Sequence, residues 1–166
     1  VKERLNNKQN IKWNDIIGFN IIIDYIYSDY LNFTTDKISP NTIKVIKNFV
    51  NNQKIINNII SLMLNKISIY DSNTVCNFFT FLHEIIDYYH NNREISILKY
   101  NLDYKIIYKA IELIIEFGDF ISISKVFWFL YCDLEKLNLD PFLNFAKWLF
   151  QNHFNALFFH WSHHLR

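Results

Sequence analysis

Glycine and proline each occur only twice in the 166 residues, at positions 18 and 118 and at 40 and 141. So few glycines exclude a phosphate-cradling loop or a dinucleotide fingerprint, both of which need several close together. Neither glycine follows Asn or Asp, so the strongest hairpin signal is missing as well. Cysteine is equally sparse. Cys76 and Cys132 sit far apart inside apolar helical patterns and form no CxxC pair, which predicts buried free thiols in a reducing compartment rather than a disulfide. Charge of one sign is absent, because the formal net charge is +1. No global field gathers nucleic acid or an acidic membrane. No apolar run approaches the ~20 residues a membrane-spanning helix needs. The longest, Val126–Cys132, has the length of a core segment, and no N-terminal signal pattern is visible.

What is present is a globular balance, with 51% hydrophobic and 20% charged residues. One domain over residues 1–166 is expected, and the apolar pattern at its end suggests a piece of a longer protein. Ile and Asn together supply about three residues in ten, and a biased genome explains this most simply. The Asn pairs at 51–52, 57–58 and 91–92 are therefore read as tolerated polar surface.

Apolar spacing predicts helices almost throughout. Val75, Phe78, Phe79, Leu82, Ile85, Ile86 and Tyr89 recur at three- and four-residue steps over 72–90, with Asp71 or Ser72 as N-cap. Residues 104–117 turn Ile107, Ala110, Ile111, Ile114 and Phe117 inward. Lys105, Lys109, Glu112 and Glu116 form the wet stripe, and Asp103 and Gly118 mark the ends. Asp140–Pro141 opens a further helix. Weaker patterns place helices near 14–31, 40–50, 53–67 and 123–137, and Ile95–Tyr100 fits a short helix or a strand. The fold class is all-α, with about seven antiparallel helices in an armadillo- or HEAT-like α–α superhelix or an irregular bundle.

The segment 154–166, FNALFFHWSHHLR, concentrates aromatics and histidines. On a helical wheel Phe154, Leu157, Phe158, Trp161 and Leu165 make one core-facing stripe, edged by His153, His160 and His164. His160 and His164, four apart, could share a zinc ion. His153 lies about 10 Å further along the axis and cannot join them. Boundary histidines over a core edge are the simpler reading, so no metal, cofactor or catalytic residue is assigned. Ser162 lies across the apolar stripe from His160 and His164, with no strained turn to present it as a nucleophile. His83 and Asp87 are spaced to pair on their own helix. Trp128 and Trp161 read as core, whereas Trp13 and Trp148 are freer and are the candidate interaction surface.

The terminal segment, with VFWFLYCDLEKLNLDPFLNFAKWLF before it, resembles the conserved region of a large eukaryotic domain-of-unknown-function family, mainly fungal and amoeboid-protist. The shared pattern is Phe154, Leu157–Phe158, His160–Trp161–Ser162 and Arg166, and the resemblance covers about the last 65 residues. Leu165 departs from it, standing where a smaller β-branched residue belongs. The resemblance implies a helical region within long proteins, associated with membranes, and brings no activity. The function expected is a non-catalytic scaffold or protein-interaction module of an intracellular protein. The alternatives are a peripheral membrane factor, with Lys12 and Trp13 on one face, and a metal-dependent enzyme at His160 and His164. Partners are other proteins, with a membrane surface as the second choice and no nucleic acid.

Overall fold

The computed structural model describes residues 17–31, 41, 44–45, 53–92, 102–117, 119–133, 135–136 and 139–158. Among them are six helices and no strand: α1 (Phe19–Leu31), α2 (Gln53–Lys66), α3 (Ser72–Asn91), α4 (Tyr104–Phe117), α5 (Phe120–Asp133) and α6 (Leu139–Phe158). The protein is all-α. Asn41, Lys44 and Val45 are also helical, within the expected 40–50 helix, and the Ile95–Tyr100 segment lies outside the described residues.

Aspartates open three of these helices. Asp71 is extended at φ −111°, and its Oδ1 accepts a hydrogen bond from the Asn73 amide at 3.0 Å. The Asp103 carboxylate takes the Lys105 amide at 3.0 Å, and the Asp119 carboxylate takes the Ser122 amide at 2.8 Å. Each satisfies an amide that the helix leaves without a partner, a contribution of about 1 kcal/mol.

Two boundaries differ from those the spacing predicts. The first helix starts at Phe19 rather than near 14, because Gly18 adopts φ +89° and forms a turn with Ile17. The helix expected over 123–137 runs from 120 to 133. Asp119 starts it earlier, and a turn in which the Lys136 amide donates to the Asp133 carbonyl closes it.

Neighbouring rings give the helix directions. Phe79 meets Phe129 at 5.2 Å, His83 contacts Asp133, and Asp87 contacts Lys136, so α3 and α5 run parallel in register. Tyr108 stacks on Phe145 while Glu112 and Glu116 approach His153, so α4 and α6 are parallel too. Asn57 accepts the Asp103 amide at 2.8 Å, and Tyr70 packs edge-on to Phe117 at 4.3 Å, which sets α2 beside α4 in the same sense. Helices thus alternate between two layers, α1–α3–α5 and α2–α4–α6.

At the centre α3 buries eight residues, including the pairs Phe78–Phe79, Phe81–Leu82 and Ile85–Ile86. Such pairs widen the apolar stripe beyond a single face, as a helix packed on several neighbours requires. Ile56, Ile59 and Ile60 of α2 and Ile111 of α4 close the core between the layers. An ion pair between Lys66 and Asp24 links α2 to α1, and both side chains are exposed enough for solvent to screen it.

Among the residues expected inside, Phe117 and Trp128 are at the surface. Phe117 is 42% exposed, covered on one side by Tyr70, and Ile115 takes the inward place in the last turn of α4. Trp128 is 37% exposed, with the Lys125 ammonium 3.5 Å from its ring and the His83 ring edge-on at 4.7 Å. Cys76 and Cys132 are free thiols, as expected, but each is only half-buried.

Phe79 is fully buried on the α3–α5 seam, where its ring meets Phe129. Phe79→Ala should lower the unfolding free energy by about 3–5 kcal/mol, read by urea denaturation. A loss below about 1 kcal/mol would mean that this seam is not the centre of the core.

Candidate functional site

Between α4 and α6 the surface opens into a groove of about 770 Å³. Its floor follows from the apolar faces of two parallel helices that do not meet along their whole length. Tyr104 and Tyr108 come from α4, Phe145 and Trp148 from α6, and Leu102 closes one end. The rings form a continuous series. Tyr104 lies 6.1 Å from Tyr108, Tyr108 stacks on Phe145 at 4.6 Å and 14°, Phe145 lies 5.4 Å from Trp148, and Trp148 meets the His153 ring at 4.6 Å. Such offset contacts add about 0.5–1.5 kcal/mol each beyond burial, which favours this arrangement of the rings. Burial, with a smaller effect from Tyr104, pushes the Tyr108 hydroxyl far above its ordinary pKa, keeping it a neutral hydrogen-bonding group. Asp103, Lys105, Lys109, Glu112 and Asn144 form a rim of mixed charge.

A second groove, about 390 Å³, lies on the other side of α4 against α2. Leu64, Ile67, Ile69, Ile106 and Leu113 make it almost wholly apolar. Both grooves therefore flank α4 in the α2–α4–α6 layer.

Titratable groups converge elsewhere, on the α3–α5 seam. Asp133 is fully buried, and its two carboxylate oxygens lie 3.0 and 2.9 Å from His83 Nδ1. A carboxylate only accepts, so Nδ1 is the protonated nitrogen. Lys136 Nζ donates to Asp133 at 3.2 Å and to Asp87 at 3.1 Å. The expected His83–Asp87 pairing is thus not formed: Asp133 from α5 takes the histidine and Lys136 takes Asp87. Burial pushes the Asp133 carboxyl above the usual range, more than His83 and Lys136 pull it back. No serine, threonine or cysteine is hydrogen-bonded to this histidine among the described residues. Burial also raises the Cys76 thiol pKa, which makes it a poor nucleophile. The network therefore ties α3 to α5 and to the turn that follows it.

Of the residues singled out from sequence, Trp148 is placed in the aromatic groove, half-buried against the core rather than free. Phe154 points outward at 48% exposure, not into the core. The backbone of Leu157 and Phe158 completes α6. Trp13, His160, Trp161, Ser162, His164 and Arg166 lie outside the described residues. Sequence spacing marked Tyr104 and Tyr108 only as part of a helix. Their role depends on α6 lying alongside, which no local pattern reports.

These observations define a layered all-helical fold with a ring-lined groove on one side of α4 and a largely aliphatic groove on the other. The sequence identifies the family. The family described as "Protein of unknown function (DUF1765)" matches residues 56–166, about two-thirds of the chain, and the chain belongs to it. No curated protein and no solved structure matches. No helix among the described residues is long and apolar enough to cross a membrane.

Lys136 gives the seam a pH signature. Desolvation alone would lower its pKa, but hydrogen bonds from the ammonium to Asp87 and Asp133 outweigh it and leave the folded value raised. Its stabilising contribution is thus full below the unfolded lysine pKa of about 10.4 and is lost as pH rises through the folded value. The stability advantage of the wild type over Lys136→Met should be flat near neutral pH and shrink above about pH 10.5 in denaturant titrations. An advantage that grew with pH would reverse the assigned sign.

Proposed function

We propose that this domain is a non-catalytic scaffold of a larger intracellular protein, docking an apolar segment of a partner protein in the α4–α6 groove. The carrying observation is the continuous ring series Tyr104–Tyr108–Phe145–Trp148 on an open groove. An aromatic floor with a polar rim matches the hot-spot anatomy of protein interfaces, in which Tyr and Trp anchor contacts at low entropy cost. A rim with both signs of charge selects against a polyanion. Parallel stacking of alternate helices supports an armadillo- or HEAT-like superhelix, an architecture that presents helix-lined grooves to extended partners.

Ile21 and Tyr25, four apart on α1 and both exposed, with exposed Ile17 in the turn before the helix, favour a second reading, a peripheral membrane contact. Flotation with anionic liposomes tests it: Ile21→Glu should abolish co-flotation if this stripe inserts.

For the scaffold reading the test is quantitative affinity purification of the full-length protein. Asn144 is exposed on the groove rim, so Asn144→Trp fills the groove without cutting into the core. Recovery of specific partners should fall about tenfold or more, with the melting temperature unchanged and an exposed control, Gln151→Ala, behaving as wild type. Partner recovery unaffected by Asn144→Trp would overturn the assignment of the groove.

A further inference from the structure

We propose that Glu112, Glu116 and His153 form a site for one divalent transition-metal ion, zinc by the chemistry of its donors, beside the aromatic groove. Glu112 and Glu116 are four apart on α4, so their carboxylates project from one face, one turn from each other. His153 comes from α6, and one donor atom from each of the three lies within 4.8 Å of the others. Ligands around a tetrahedral zinc sit at about 2.0–2.2 Å from the metal and so roughly 3.3 Å apart. Small rotations of two carboxylates, Glu116 being exposed and Glu112 half-buried, cover that difference. The imidazole needs little movement, because its ring is set against Trp148 at 4.6 Å.

Charge points the same way. Two carboxylates face one histidine, and neither forms an ion pair among the described residues. Lys109, one turn earlier on α4, is exposed on the groove rim. A dication would relieve the repulsion between the carboxylates. A nitrogen donor beside two carboxylate oxygens favours zinc over calcium and magnesium, which take oxygen ligands. Three protein ligands leave a coordination position for water or for a partner's side chain. The site stands on these residues alone and does not depend on the docking reading.

The test is isothermal titration of zinc chloride into the full chain, with thermal melting in parallel. Wild type should bind one equivalent at this site and melt higher with zinc than without. His153→Ala and the double variant Glu112→Gln/Glu116→Gln should each weaken that equivalent at least about tenfold, the order expected for loss of a ligand. The double variant is the safer one, since it leaves the His153–Trp148 contact alone. Replacing His160, His163 and His164 together by alanine should leave the equivalent in place. The proposal is overturned if zinc binding is absent in the wild type. It is equally overturned if binding persists in both site variants or disappears with the three C-terminal histidines alone.

Discussion

The register between α3 and α5 is the constraint on which the other surfaces depend. Phe79 on Phe129, His83 on Asp133 and Asp87 on Lys136 are successive rungs along α3 and along α5 with the turn that follows it. The apolar rung supplies most of the energy, because burying an aromatic ring is worth several kcal/mol. The polar rungs are different. A buried carboxylate is costly unless its oxygens are all engaged, and Asp133 engages both with His83 and one also with Lys136. A slip of one turn would leave that carboxylate buried and unpaired, so the network selects the register more than it adds stability. The link to α6 leaves from the end of α5, so the placement of α6, and with it the groove, inherits this choice.

Helix α4 then carries three different surfaces around its circumference. Ile107, Ile111, Ile114 and Ile115 face the core. Tyr104 and Tyr108 turn toward α6, and Ile106, Ala110 and Leu113 turn toward α2. A polar strip with Lys105, Lys109, Glu112 and Glu116 faces solvent beside the exposed Leu113 and Phe117, and part of it borders the two grooves. A helix with so little polar surface needs neighbours on both sides, and α2 and α6 supply them incompletely. The incompletely covered apolar area becomes the pair of grooves.

Local pattern revealed what depends on local physics. The inward stripe of α3 and the caps at Asp71 and Asp103 were readable, because periodicity and side-chain-to-amide bonds involve residues within one turn. Where a neighbour decides, the pattern misleads. His83 is spaced to pair with Asp87, yet a carboxylate fifty residues away is held closer by the α3–α5 register. Trp128 reads as core by composition, but its azimuth on α5 faces outward beside Lys125. Glu112 and Glu116 read as a solvated stripe, and nothing in the α4 sequence announces that His153 arrives opposite them. Phe154 likewise reads as core on a wheel whose zero was set by later residues, and the packing of Phe145 and Leu149 sets it differently.

The family match begins at Ile56, in the first buried turn of α2, and takes in α2 to α6. It therefore contains every residue that lines either groove and the whole α3–α5 seam, and it leaves α1 outside. That boundary fits the mechanics of the layers. Helix α1 touches the edge of α3 and the side of α2, burying Phe19 and Ile23, and no groove residue comes from it. The Ile56, Ile59 and Ile60 face of α2, by contrast, is buried in the core. The segment that the family model matches thus carries the core between the layers together with both grooves.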